Sequence, residues 1–311
     1  MEVNNQAELS PYQMDNSRKK ENANKKFLTL VKKLVKSKTG IVGLIIVLTV
    51  CLMAVFAPII APYDPNKIET ANMLQPPFWI SGGELSHILG TDNLGRDILS
   101  RIIYGSRISI IVGLLSVLVG GLIGVAFGLI AGYYGGIADS IIMRLVDSFL
   151  AIPTTLFCIV FLTVLNPGLF TLIFVIGITN WVMYASLVRS QTLSIREREY
   201  VKAARTMGVS NYKIITRHIL PNVFSSVIVI STLSVAGTII TESSLSFLGL
   251  GIQPPAISWG IMLSEGREHL ATSWWLSTFP GVAITLTVLG IIFLGEWLRD
   301  VLDPRSRGMK S

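Results

Sequence analysis

Long stretches without one Asp, Glu, Lys or Arg constrain this chain more than any other feature. The runs Ile41 to Ala61, Ile108 to Ala138, Ser148 to Val188, Ile219 to Thr241 and Leu270 to Gly295 are all uncharged. About twenty apolar residues suffice to cross the hydrocarbon core as a helix, because a helix satisfies its own backbone hydrogen bonds where no water is available. The third run is long enough for two crossings, and Asn166-Pro167-Gly168 near its middle supplies a turn. The expectation is an all-α integral membrane protein with six transmembrane helices. Composition agrees: 51% of residues are hydrophobic, 14% are charged and mean hydropathy is +0.61, whereas soluble domains carry roughly a quarter charged residues.

The net charge of +7 does not point to nucleic acid, since the basic residues lie in blocks beside apolar runs rather than among aromatics on a soluble face. They orient the chain instead. Six crossings place the Lys/Arg-rich start, the loop from Arg189 to His218, and Arg299, Arg305, Arg307 and Lys310 on one side, which the positive-inside rule makes cytosolic. The segments Pro62 to Arg107 and Glu242 to Ser277 fall outside. Residues 1–39, with nine Lys or Arg, read as a cytosolic tail ending in a basic helix at the membrane, too polar for a cleaved leader. Both termini are therefore expected in the cytosol.

The segment Ser243 to Ser264 is uncharged and of span length, yet Gly249, Gly251, Pro254-Pro255 and Gly260 oppose a regular helix. A seventh crossing would also expel the basic C-terminus, so this segment reads as external or re-entrant. Gly120, Gly124, Gly128 and Gly132 recur at every fourth position and form a stripe for close helix packing.

Enzyme chemistry finds no support. There is no G-x-x-x-x-G-K-[ST] phosphate loop, no H-E-x-x-H helix and no G-x-S-x-G elbow, and His87, His218 and His269 lie in three separate loops. Cys51 and Cys158 each sit in an apolar run, so neither a disulfide framework nor a metal site follows, and no cofactor is implied. Glu242 and Glu296 lie at span ends within reach of water and without evident partners, which argues against a proton relay.

Three strings carry a more specific signal. The segment EYVKAARTMGVSNYKIITRHILPN, Glu199 to Asn222, is a charged block between apolar runs that hydrocarbon cannot solvate. It reads as two helices broken at Gly208, the second capped by Ser210 or Asn211 and running until Pro221 enters the next span. Ala203-Ala204 with Gly208 offer a small-residue face for another protein. This pattern resembles the "EAA" loop of ABC importer permeases, with Ala-Ala, Gly and the Leu220-Pro221 pair at the family's spacing. Two positions depart from it: Lys202 stands where the family has an acid, whose role Glu199 takes over, and His218 where a hydrophobic residue is expected.

The string HILGTDNLGRDILSRIIYGSRIS, His87 to Ser109, resembles the block preceding the second membrane helix in permeases of the dipeptide, oligopeptide and nickel transport family. Thr91 or Asp92 can cap a turn there, Gly90 and Gly95 give conformational freedom, and Arg96, Asp97 and Arg101 set opposite charges near the membrane. As surface ion pairs these would contribute little. ESSLSFLGLGIQPPAISWG, containing Glu242, Phe247, Gly249, Gly251, Pro254, Trp259 and Gly260, and the closing WLRDVLDPRSRG match the same family.

The resemblance implies a type I ABC importer permease fold: an accessory first helix and external loop over 40–107, a five-helix core over 108–298 carrying the coupling loop 190–218, and a cytosolic tail over 299–311. It further implies a heterodimer with a second homologous permease, two ABC ATPase subunits that hydrolyse ATP, and an extracytoplasmic binding protein that delivers di- or oligopeptides. A nickel chelate or a glutathione-like cargo stays open. A stand-alone ion-coupled transporter needs buried coupling groups and inverted repeats, and a membrane hydrolase needs a paired nucleophile and base; neither is evident in the sequence.

Overall fold

A computed structural model describes residues 32–302 as an assembly of helices, with no strand among the described residues beyond a lone bridge between Thr91 and Asp97. Most of the basic N-terminal tail, and Arg305, Arg307 and Lys310, lie outside the described residues. Residues 32–36 are helical, and a break at Ser37, whose Oγ accepts from the Gly40 amide at 3.1 Å, separates them from α1, Lys38–Val55. The short α2, Ala57–Ile60, follows it, and a long loop then leads to α3, Ile98–Tyr134.

The fourth-residue glycine stripe does what its spacing implies. α3 packs along α6, Leu169–Arg196, with Gly120, Gly124 and Gly128 set against the backbone carbonyls of Gly177, Trp181 and Ala185. A Cβ at Gly124 would lie 2.4 Å from the Trp181 oxygen and one at Gly128 2.7 Å from that of Ala185, so only glycine permits this approach. Gly132 continues the row against Arg189 and Thr192.

Between these two long helices the third crossing is broken. α4, Gly136–Leu150, and α5, Thr154–Val164, meet at 87° around Ala151-Ile152-Pro153. The reason is local: Gly135 and Gly136 both have positive φ and end α3 before Ala138, while Pro153 cannot donate into a continuing helix. The turn expected at Asn166-Pro167-Gly168 is present, Asn166 having positive φ.

α6 leads into the short α7, Glu199–Thr206, then α8, Asn211–Ile214, a π-turn over Ile215–Ile219, and α9, Leu220–Phe247. α10, Trp259–Gly266, is only eight residues long and packs on α9 and on the last helix, α11, Trp275–Leu302. Among the described residues five helices have the length and apolarity to cross a membrane, and the bent α4–α5 pair, taken as one broken span, makes a sixth. The segment Ser243 to Ser264 thus supplies no seventh crossing.

α1 rides on the outside of this bundle. Gly43 approaches the Gly290 carbonyl and the Leu294 amide of α11, while Val42, Ile45, Leu48 and Leu52 are exposed. An apolar helix exposed over most of its surface is stable only with lipid around it. The same holds for Leu114, Leu118 and Leu122 on α3 and for Val282, Leu286 and Leu289 on α11.

Candidate coupling loop and external corner

α7, eight residues long, is an amphipathic helix of about two turns. Val201 and Ala204, three apart and on one face, are 1% and 4% exposed. They join Leu129 and Tyr133 of α3, Val188 and Ile195 of α6, and Val223 of α9 in one apolar cluster. The helix is therefore bolted to the ends of three spans. Arg196 reinforces the joint by donating from Nη1 to the carbonyls of Gly132 (3.2 Å) and Tyr133 (3.1 Å), which satisfies the C-terminal end of α3. Arg205 lies 5.3 Å from the centre of the Tyr133 ring, and the Tyr133 hydroxyl donates to Asn211 Oδ1 at 2.7 Å.

Gly208 ends α7 with φ +76°, its amide donating to Arg205 O and the next amide, of Val209, to Ala204 O. No atom would obstruct a side chain at Gly208, so the requirement is conformational. The second loop helix differs from the expected separate element. Ser210 holds the N-cap position but neither its side chain nor that of Asn211 caps the helix, Asn211 being engaged by Tyr133. Residues 211–247 then run directly into the span through the π-turn, which widens the helix ahead of Pro221, a residue with no N–H to donate.

This geometry corrects the expected docking face. Ala204 points into the chain's own bundle, away from Ala203 and Gly208, and is not on an outward small-residue surface. The exposed side of the loop carries Glu199, Tyr200, Lys202, Ala203, Met207 and Tyr212. Lys202 Nζ lies 3.3 Å from Glu197 Oε2 and holds that carboxyl below its ordinary range. Leu220 is half-buried and Pro221 exposed where the loop rejoins the membrane helix. The Val201–Ala204 spacing was the available signal for the buried side. Arg196 and Tyr133, which hold the loop, carry no such periodic mark.

At the opposite end of α3, the charges expected to form weak surface pairs are buried. Asp92, Arg96, Asp97 and Arg101 are 3%, 9%, 3% and 2% exposed. Asp92 accepts from its own loop amides at Leu94 (2.8 Å) and Arg96 (2.9 Å), from Arg96 Nε (2.7 Å) and from Arg101 Nη1. Glu265 of α10 completes the set at 2.6 Å from Arg101 Nη1 and 3.1 Å from Arg96 Nη2. Two guanidinium groups thus face two carboxylates, which makes burial tolerable.

Asp97 caps the helix: its Oδ2 accepts from the Ser100 amide at 2.8 Å and hydroxyl at 2.7 Å, and its other oxygen meets His87 Nδ1 at 3.0 Å. Asp92 caps the turn before it. Thr91 accepts from Gln75 N at 2.9 Å and donates to Asn72 O, and Trp275 Nε1 donates to its carbonyl at 3.2 Å. Gly90 and Gly95 have φ +80° and +74°, and a Cβ on Gly95 would fall 1.9 Å from the Glu69 carbonyl oxygen.

The third string folds against this corner. Trp259 is buried beside Gly105 and donates from Nε1 to Ile102 O at 2.9 Å; Gly251 and Gly260 pack onto Ser246 and Ser243. Gly249, with φ +81°, ends α9, the Phe247 carbonyl accepts from Ser264 Oγ at 3.0 Å, and Pro254 is exposed. Glu242 departs from expectation. It is fully buried rather than at a wet span end, and it accepts from Ser246 Oγ at 2.8 Å and Ser243 Oγ at 3.3 Å. Glu296 is exposed, as expected. No cluster of three or more His, Cys, Asp or Glu able to hold a metal occurs among the described residues.

Residues 124–308 match the model of the family described as the binding-protein-dependent transport system inner membrane component. The chain belongs to this family. Residues 28–77, which contain the accessory α1, separately match the N-terminal TM domain of oligopeptide transport permease C. The family makes the chain a multi-pass inner membrane transport component that works with an ATPase and a substrate-binding protein.

Among its relatives, the di/tripeptide transport system permease protein DppC of Pseudomonas aeruginosa is 40% identical over 86% of this chain and 89% of its own length. The oligopeptide transport system permease protein OppC of Bacillus subtilis is 40% identical over 87% of each chain. In fold the chain is similar to an inward-facing structure of the MetNI methionine ABC transporter, with TM-score 0.55 and 17% identity over 66% of this chain and 98% of that one. Within this family's fold, α7 is packed on α3, α6 and α9 together, so it cannot move without those three helices.

Proposed function

We propose that the chain is one of two permease subunits of an ATP-driven importer of di- or oligopeptides. It pairs with a homologous permease and two ATPase subunits and receives cargo from an extracytoplasmic binding protein. The observation that carries this reading is the α7 loop, fixed on one side to three spans while Glu199, Lys202, Ala203 and Met207 remain outward. A rigid lever with an exposed outer face is what an ATPase subunit needs to rock the spans. The peptide cargo is supported by relatives named as peptide permeases on both sides of the oligopeptide–dipeptide division. ATP hydrolysis belongs to the partners, as the chain has no phosphate-binding glycine loop.

The loop lies on the cytosolic side with both termini, and the buried-ion corner lies outside. A cysteine at exposed Ser81 or Thr272 is expected to react with an impermeant maleimide added to intact cells, while one at Ser17 or Ser306 is protected until lysis. Labelling of Ser306 from outside would reverse the orientation. For the function itself, affinity purification of the tagged chain is expected to recover a second permease and two ATPases in fixed stoichiometry. Cells lacking the chain should lose uptake of labelled dipeptides, and recovery of the chain without stoichiometric partners would defeat the proposal.

A further inference from the structure

A groove of about 660 Å³ opens beside the corner, between the segment after α2, the first turns of α3 and the Pro255–Ile257 stretch. Its volume is within the roughly 300–1,000 Å³ of small-ligand sites. Of the side chains lining it, only Asp64 and Arg107 are charged; the rest are mainly prolines, isoleucines and tyrosines. The two do not pair with each other, and neither has an ion-pair partner among the described residues.

The neighbouring charges are already committed. Arg101, six residues before Arg107 and so about 240° around the helix, faces inward to Asp92 and Glu265. Lys67 is held by Glu69 at 2.7 Å. One oxygen of Asp64 accepts from the Asn66 amide at 2.9 Å, which fixes the carboxylate and leaves its other oxygen open. The wall is firm: the Tyr63 amide donates to Ser100 Oγ at 3.1 Å, its hydroxyl to Ser86 O at 2.8 Å, and its ring lies 4.8 Å from that of His87.

We infer that this groove takes the two charged ends of a short peptide, the ammonium on Asp64 and the carboxylate on Arg107. Arg107 and Asp64 are both exposed, and with no salt bridge of their own among the described residues each leaves a charge free to meet a ligand group of opposite sign along the groove. A zwitterion supplies both at once with no net charge to desolvate. The prolines and isoleucines between them offer apolar contact to the peptide's side chains without reading their identity. The inference rests on the peptide-import reading above and assigns the groove to the outer mouth of the path.

The test uses the complete transporter in proteoliposomes with its binding protein, comparing each variant with wild type on one substrate at a time. Arg107→Gln is expected to raise the KM for a free dipeptide about tenfold, the loss of one charge-assisted contact, and to leave the C-terminal amide nearly unaffected. Asp64→Asn should do the same for the free dipeptide but not for its N-acetyl form. Arg107→Lys, which keeps the charge, should recover most of the loss. Equal effects on free and blocked peptides, or an Arg107→Gln effect that tracks the phosphatidylethanolamine content of the vesicles, would overturn the inference, the latter assigning the groove to a lipid headgroup. Should wild type import no peptide at all, the cargo reading falls and this inference with it.

Discussion

Gly208→Pro is expected to abolish peptide uptake while the protein still inserts and binds its partner permease. Proline fixes φ near −65°, and Gly208 sits at +76° with its amide donating to Arg205 O, so both the turn and a hydrogen bond are lost. The distortion falls where α7 turns into the helix that becomes the span, and the lever no longer moves with it. Because no neighbour contacts the site, Gly208→Asn, which tolerates the left-handed region, should keep most of the activity. Uptake by the proline variant within about twofold of wild type would show that the turn does not transmit force.

Substitutions in the adjacent alanines separate docking from internal packing. Ala203→Glu adds a carboxylate to the exposed side and should weaken ATPase co-purification with the permease otherwise intact. Ala204→Glu instead buries a charge against Leu129, Val188 and Ile219 and should detach the loop from its own spans.

Arg101→Ala is expected to lower the stability of the purified protein by about 3–5 kcal/mol, because Arg96 alone would then face both Asp92 and Glu265, leaving a buried negative charge uncompensated. The readout is thermal unfolding in detergent together with protease nicking of the loop between α2 and α3, which this corner holds down. Lys67→Ala, which removes an exposed pair with Glu69, serves as the contrast and should change neither. An Arg101→Ala protein as heat-stable and protease-resistant as wild type would show that the corner is not held by these ions.

The spans were legible because hydrocarbon excludes charge so strictly that uncharged runs nearly define them, and the glycine row was legible because its spacing equals the advance of one helix along another. What escaped the sequence depends on partners far away in the chain. α3 begins at Ile98 rather than Ile108, since Arg101 can enter the protein once Asp92 and Glu265 neutralise it, and Glu265 lies 164 residues downstream. Glu242 looked wet because its hydrogen-bond partners are ordinary serines that carry no mark of burial. The right-angle break between α4 and α5 was hidden within an uncharged run, where hydropathy registers length and Pro153 alone records direction. In the coupling loop the residue types were readable but the side was not: Ala203 and Ala204 are adjacent in sequence and 100° apart on a helix, so one faces out and the other in.

The central claim is that this chain moves peptide only as part of an ATP-driven assembly. The most direct measurement is uptake of a labelled dipeptide into proteoliposomes holding the chain, its partner permease and both ATPases, with binding protein outside, ATP inside and no ion gradient. Uptake is predicted to require ATP and every subunit, and vesicles holding this chain alone should neither bind ATP nor accumulate peptide under a proton or sodium gradient. Gradient-driven accumulation by the chain alone would contradict the account and make it a secondary transporter.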